Sequence, residues 1–274
     1  DLVRDYGTKV PAWYAGQCPL IEEDKLIRGV GGEDVLMMAV DCNSGEVLWE
    51  TPNSQNWDMT HSSVVPIEFE GRRMYVYCAS GGVVGVSADD GSLLWETTEW
   101  KIRIANVPTP LYVGQGKLFL SGGYNAGSMM LQIASEGDGF SAAPLFSLEA
   151  DVYGSPQQTP VLYEGHIYGV NADSQLACLN LDGEVVWTSS SAHKFGLGPY
   201  AIADGRIYVM DDDGVLTMAE ATTAGYNQID QAKVLEGPEA WGPMAFVAGR
   251  LIVRDMNKMA CLDISEGQKI AGAN

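Results

Sequence analysis

Short apolar runs alternate with polar, glycine-bearing turns along the whole chain, and no segment sustains a 3.6-residue period. That pattern predicts many short strands and few helices. Its clearest unit is Val40-Asp41-Cys42-Asn43-Ser44-Gly45-Glu46-Val47-Leu48-Trp49: strand, tight turn, strand and a closing tryptophan. The unit returns at Val86–Trp95 and Leu179–Trp187, and in each copy Trp stands four residues after Gly. Gly suits the turn because a tight hairpin demands positive φ, which glycine adopts without a Cβ clash.

A second landmark is a proline that opens an apolar strand, at Pro19, Pro66, Pro110, Pro160, Pro199 and Pro243, spaced 39 to 50 residues apart. In five of the six copies the following turn ends in Gly plus a basic residue: Gly71-Arg72, Gly116-Lys117, Gly165-His166, Gly205-Arg206 and Gly249-Arg250. A second strand follows, then a third at 35–40, 83–87, 129–133, 175–181, 215–219 and 259–264. Four short strands in about 45 residues, six times over, predict an all-β chain: a β-propeller of four-stranded antiparallel blades. A β-sandwich predicts no fixed period. The blades fall near 13–50, 58–96, 104–147, 154–188, 195–235 and 240–270.

A lone blade has two apolar faces and needs neighbours to bury them. The repeated tryptophan ends the outermost strand, where it can cover the junction with the next blade. Gly45, Trp49, Gly91, Trp95, Gly183 and Trp187 are therefore read as blade-docking residues. Burying an indole is worth roughly 4–6 kcal/mol as an upper bound. Three copies depart from the pattern. The third places Phe146 near the Trp position after a longer Ser135–Ala143 connection, and the fifth replaces the turn with Ala221–Gln231. The sixth ends at Leu262-Asp263-Ile264 and Gly267-Gln268 without a fourth strand. Asp1–Gly7 reads as the segment after a preceding blade's tryptophan. Residues 1–274 thus read as one propeller domain lacking N-terminal blades.

Composition narrows the function. The formal charge is −20, from 36 acidic and 16 basic residues, a field that repels a phosphate backbone and argues against nucleic acid. No run of 18 apolar residues exists to span a membrane as a helix. The five cysteines include no CxxC or adjacent pair. Cys42, Cys78, Cys178 and Cys261 lie in or beside apolar runs and are expected to pack as small hydrophobes.

The Ser/Asp-Gly-x-x-x-Trp turn, preceded in its first copy by Val40-Asp41, resembles the pyrroloquinoline quinone (PQQ) repeat. That repeat is found in PQQ-dependent dehydrogenases and in the propeller lipoprotein of the bacterial outer-membrane β-barrel assembly machinery. Trp13-Tyr14-Ala15-Gly16, Gly81–Val86, Asn106-Val107-Pro108-Thr109-Pro110, Trp241-Gly242-Pro243 and Gly249–Asp255 resemble a group of bacterial PQQ-like propeller proteins. The resemblance implies a ring of seven or eight blades and a periplasmic or otherwise exported protein. The quinone dehydrogenases carry an adjacent Cys-Cys pair over the cofactor, which this sequence lacks. The expectation is a non-enzymatic binding or scaffold propeller with no cofactor. The alternative implied by the resemblance is an alcohol- or sugar-oxidising enzyme using PQQ with calcium.

In a propeller, loops entering the first strand and loops joining the second and third share one axial face, the default ligand site. That face would gather Trp57, His61, Arg103, Asn106, Tyr124, Asn125, Gln158, His193, Trp241 and Arg254, with Asp58, Gln157, Asn171, Asp173, Lys194 and Asp255 nearby. Trp57 and Trp241 lack the Gly-x-x-x-Trp context, so they are read either as a binding surface or as loop packing. Aromatics beside Asn, Gln and Asp suit a protein or glycan partner. No catalytic or metal residue is assigned. His61-Ser62-Ser63 supplies triad residue types, but a triad is recognised by its geometry, so no hydrolase is assigned from them. Asp211-Asp212-Asp213-Gly214 with Glu220 mimics a calcium loop whose first ligand would be Val209, and is read as a solvated turn.

Overall fold

The computed structural model describes residues 1–137 and 139–265, which form two compact units, one spanning residues 1–159 and one beginning at Pro160. The first unit opens on a short helix, α1 (Leu2–Tyr6), capped by Asp1, whose side chain accepts from the Val3 and Arg4 amides. This cap explains why Asp1–Gly7 is helical rather than extended.

Three four-stranded sheets follow, each an antiparallel meander in chain order. The first holds β1 (Leu20–Glu22), β2 (Lys25–Gly29), β3 (Val35–Asp41) and β4 (Val47–Pro52). The second holds β5 (Val65–Phe69), β6 (Arg72–Ala79), β7 (Gly82–Ser87) and β8 (Leu93–Thr97). The third holds β9 (Leu111–Gly114), β10 (Lys117–Gly122), β11 (Gly127–Glu136) and β12 (Gly139–Leu148).

The second unit repeats the plan. Its four-stranded sheets are β13 (Val161–Tyr163), β14 (His166–Val170), β15 (Leu176–Leu179), β16 (Val185–Thr188), and β17 (Tyr200–Ala203), β18 (Arg206–Met210), β19 (Val215–Glu220), β20 (Gln228–Lys233). A three-stranded sheet of β21 (Ala245–Val247), β22 (Arg250–Arg254) and β23 (Met259–Asp263) ends the described chain. Gly267-Gln268 and the end of the sixth predicted blade lie outside the described residues.

The local chemistry explains the repeat. At five of the six turns between first and second strands two successive residues have positive φ, among them Glu70 and Gly71 (50° and 73°), Gln115 and Gly116 (54° and 72°), and Glu164 and Gly165 (46° and 74°). Two left-handed residues in a row define the two-residue hairpin whose twist matches the strands it joins. Hence the glycine before each basic residue.

Packing between neighbouring sheets makes the core. Trp49 joins Tyr75, Tyr77, Val84 and Val86 of the next sheet, and its ring stacks on Tyr75 at 6.1 Å. Trp95 sits among Leu118, Leu131 and Ile133. In the second unit Trp187 is buried against Tyr168 and Tyr226, and its Nε1 donates to the Thr222 carbonyl at 2.8 Å. Each of the three tryptophans thus bridges its own sheet to the following one.

Four expectations need correction. Ser135–Ala143 is no loose connection, because β11 and β12 continue as a long hairpin paired out to Glu136↔Gly139. Ala221–Gln231 is loop only as far as residue 227, since Gln228 onward pairs with β19 and completes that sheet. Cys42 and Cys261 are exposed, and only Cys78 and Cys178 are buried. Cys42 falls in the polar turn itself and Cys261 faces solvent on β23.

Candidate functional site

Four loops of the first unit converge on one cleft of about 230 Å³. They are residues 9–12, the β4–β5 loop at Asp58–His61, the β6–β7 turn at Ser80, and the β8–β9 loop at Ile102–Asn106. All four enter a first strand or join a second strand to a third. The structure therefore brings His61, Arg103 and Asn106 together, with Asp58 beside them.

Its floor is rigid. The Thr60 amide donates to the buried Tyr77 hydroxyl at 2.9 Å, and the Asp58 amide donates to Ser80 Oγ at 2.8 Å. Across the rim Lys9 Nζ lies 3.1 Å from Asp58 Oδ1, with both side chains largely in water; such a pair adds little stability. Buried Trp100, Ile102 and Ala105 anchor the fourth loop and leave Arg103 exposed, without an ion pair among the described residues.

Asn106 is the unusual group. It is 2% exposed, and neither its Oδ1 nor its Nδ2 has a hydrogen-bond partner among the described residues. Its carbonyl accepts from the His61 amide at 3.1 Å. His61 Nε2 lies 2.7 Å from the Ala12 carbonyl oxygen. A carbonyl only accepts, so Nε2 carries a proton, and in the neutral imidazole Nδ1 is then the acceptor. That Nδ1 is buried and also unpartnered.

The wall contributed by residues 9–12 continues into Trp13 and Tyr14. Both are exposed, at 69% and 83%, and both adopt positive φ, at 61° and 70°. The same loop returns at Gly16, where an added Cβ would stand 3.2 Å from the His61 ring. Two adjacent left-handed aromatics cost on the order of 1–3 kcal/mol each, a strain that collects at functional loops. Trp13-Tyr14, noted in the sequence as a motif, follows the cleft wall along the chain and lies outside the cleft lining.

Other predicted residues have different fates. Trp57 is only 7% exposed, and its indole fills the space where Gly81 and Gly82 lack side chains. Asn53 holds it by accepting from the Trp57 amide and donating to its carbonyl. Trp57 is a strut, because this packing leaves no face for a ligand. Tyr124 and Asn125 are exposed in the β10–β11 turn, and Gln158 is half-buried in the same unit; none lines the cleft.

His193, Trp241 and Arg254 belong to the second unit. Trp241 Nε1 donates to Asp212 Oδ1 at 2.7 Å, and the Leu197 amide donates to the same oxygen at 2.8 Å. Trp241 thus ties three loops together. Exposed Arg254 lies across Gly242, and His193 packs on Tyr226 with ring centres 5.0 Å apart.

The acidic turn is occupied by its own backbone. Asp211 Oδ1 accepts from the Asp213 and Val215 amides, while Asp212 serves Leu197 and Trp241. Asn171 and Asp255 cap their turns in the same way. Among the described residues no three His, Cys, Asp or Glu side chains gather to hold a metal.

A second cleft, of about 420 Å³, lies in the other unit between the β17–β18 and β21–β22 turns, beside Arg206, Tyr208, Phe246 and Arg250. It is larger, and among the described residues no buried polar atom of its lining is left unpaired. The smaller cleft has the chemistry.

These features define a β-propeller with a loop-face cleft. A family model described as outer membrane protein assembly factor BamB matches residues 6–182 and 172–269. The chain belongs to this PQQ-like repeat family. BamB from Moraxella catarrhalis superimposes with a TM-score of 0.61 at 17% identity, over 89% of this chain and 70% of that one. Quinohemoprotein alcohol dehydrogenase from Comamonas testosteroni gives 0.63 at 13% identity, over 93% of this chain and 52% of that one. AztD from Citrobacter koseri gives 0.57 at 11% identity, over 93% and 71%. No curated protein matches the sequence. At these identities the structures speak for the fold alone. No helix among the described residues is long and apolar enough to cross a membrane.

Proposed function

We propose that this chain is a non-enzymatic binding or scaffold propeller that presents the loop face of its first unit to a protein or glycan partner outside the cytoplasm. The observation that carries this reading is the cleft on which four loops converge, lined by His61 and by exposed Arg103, which has no ion pair among the described residues. Loops held together on a rigid repeat scaffold are where binding residues concentrate. The family description as an assembly factor agrees with a binding role. The similarity to a quinohemoprotein dehydrogenase favours a second reading, a PQQ-dependent oxidoreductase.

Two experiments separate them. Reconstitution with PQQ and calcium, followed by dye-linked oxidation of alcohols and sugars, gives no turnover in the binding reading; turnover overturns it. A photo-crosslinking amino acid at Arg103 forms one specific adduct in cells, whereas the same group at exposed Leu93 forms none. Equal labelling from both positions removes the loop face from the proposal.

A further inference from the structure

Resting on the binding reading above, we infer that the cleft of the first unit docks a segment of another protein in which an acidic side chain stands beside an aliphatic one. Only groups that a partner can reach set this chemistry. Arg103 is exposed, lines the cleft and has no ion pair among the described residues. Lys9 and Asp58 in the same lining lie 3.1 Å apart and offset each other, so Arg103 gives the lining one surplus positive charge. A guanidinium meets a carboxylate through two parallel hydrogen bonds, which makes it selective for that planar anion. The net charge of −20 opposes an acidic partner only from nearby, since exposed charges more than about 8 Å apart are largely screened at physiological salt.

The same lining is aliphatic. Val10 and Ile104 are 52% and 57% exposed, and both line the cleft together with half-buried Pro11. Ile104 is held out in water because Ile102 and Ala105 on either side are buried and anchor the loop. Single exposed aliphatics are ordinary, but two beside a proline around one unpaired arginine have the make-up of an interface centre. Volume favours part of a larger partner. The cleft of about 230 Å³ has the space of roughly seven or eight waters at about 30 Å³ each. That is below the roughly 300–1,000 Å³ of pockets that enclose a small molecule, and suits one or two side chains. A neutral sugar would bring hydroxyls to these methyl groups and no carboxylate to Arg103. A lysine-rich segment would meet a like charge.

Saturation-transfer NMR on the full chain tests this with three acetylated, amidated hexapeptides at about 1 mM. One alternates glutamate with leucine, one lysine with leucine, and one glutamate with serine. The glutamate–leucine peptide should receive saturation, strongest at its leucine methyls, and the other two about tenfold less. Arg103→Glu and Ile104→Ser should each weaken its binding about tenfold or more. Arg103→Glu should in turn bind the lysine–leucine peptide, a gain that an unfolded variant cannot give. Equal saturation of all three peptides overturns the inference, as does none for the glutamate–leucine peptide or unchanged binding by both variants. If sodium laurate binds and no peptide does, the cleft takes a small amphiphilic anion and the peptide assignment falls. If no peptide binds while the crosslink from position 103 still forms in cells, the acidic–aliphatic partner falls and the binding reading stands. If no crosslink forms and the PQQ–calcium form turns over, both fall.

Discussion

The indole of Trp49 lies directly on the backbone of Gly91 in the next sheet: a Cβ at Gly91 would stand 2.3 Å from Trp49 Cε3. Thr51 of the same strand donates to the Gly91 carbonyl at 2.7 Å. One turn glycine therefore serves its own hairpin and the neighbouring sheet's tryptophan together.

This relationship makes two similar substitutions unequal. Gly45 and Gly91 both have positive φ, 76° and 71°, but no atom lies within 4 Å of a Cβ built on Gly45. Gly45→Ala should cost only the left-handed strain, about 1–2 kcal/mol. Gly91→Ala adds overpacking against Trp49 and should cost about 1–3 kcal/mol more. Urea midpoints at unchanged slope give the comparison. Equal losses would show that the indole docks elsewhere.

Trp95→Ala should cost more than about 3 kcal/mol by cavity formation. Trp95 is 3% exposed, and its Nε1 donates to Met74 Sδ at 3.3 Å. Trp13→Ala, at an exposed position, should stay within about 0.5 kcal/mol of the parent. Chemical denaturation of the two variants side by side checks both figures.

Acid should loosen the contact between the first two sheets. Glu22 of β1 accepts from the Tyr75 hydroxyl at 2.5 Å and from the Arg73 guanidinium, both on β6. Burial raises the Glu22 carboxyl, but the bonds from Tyr75 and Arg73 outweigh it and hold the group below its ordinary 4.5. The folded state thus favours the carboxylate. Its contribution is fully present above about pH 4.5 and is lost as pH falls through the lowered value. Glu22→Gln should lose about 1 kcal/mol at neutral pH, and the gap should close as pH falls below about 4.5. A gap that persists at the acid end would assign the loss to packing.

Calcium should leave the melting temperature unchanged. The Asp211 carboxylate closes its own turn, and Asp212 is held by Leu197 and Trp241. A rise in melting temperature with added calcium would reveal binding by linkage and reopen the acidic turn as a metal site.

The repeat was legible because hairpin chemistry is local. Gly45, Gly91 and Gly183 have the positive φ that the Gly-x-x-x-Trp spacing predicted, and the third strand predicted at 83–87 forms at Gly82–Ser87. The 135–143 and 221–231 segments were misread because polar residues on exposed outer strands look like loop. Arg103 and Asn106 could be placed on the loop face by topology. What the sequence could not show was which loops converge and which polar groups stay unpaired, since both depend on contacts between distant segments. Trp57 shows the limit: its socket is Gly81-Gly82, more than twenty residues away. Trp241 likewise meets its partner Asp212 across a span of 29 residues.

The most direct test of the binding cleft is the urea midpoint of Asn106→Leu. Leucine has nearly the shape of asparagine and no unpaired polar atoms. If the carboxamide behind the cleft is unpaired in the folded protein, the variant should be more stable by about 1–3 kcal/mol. A variant less stable than the parent would mean that the carboxamide is already satisfied in the free protein, contradicting the account.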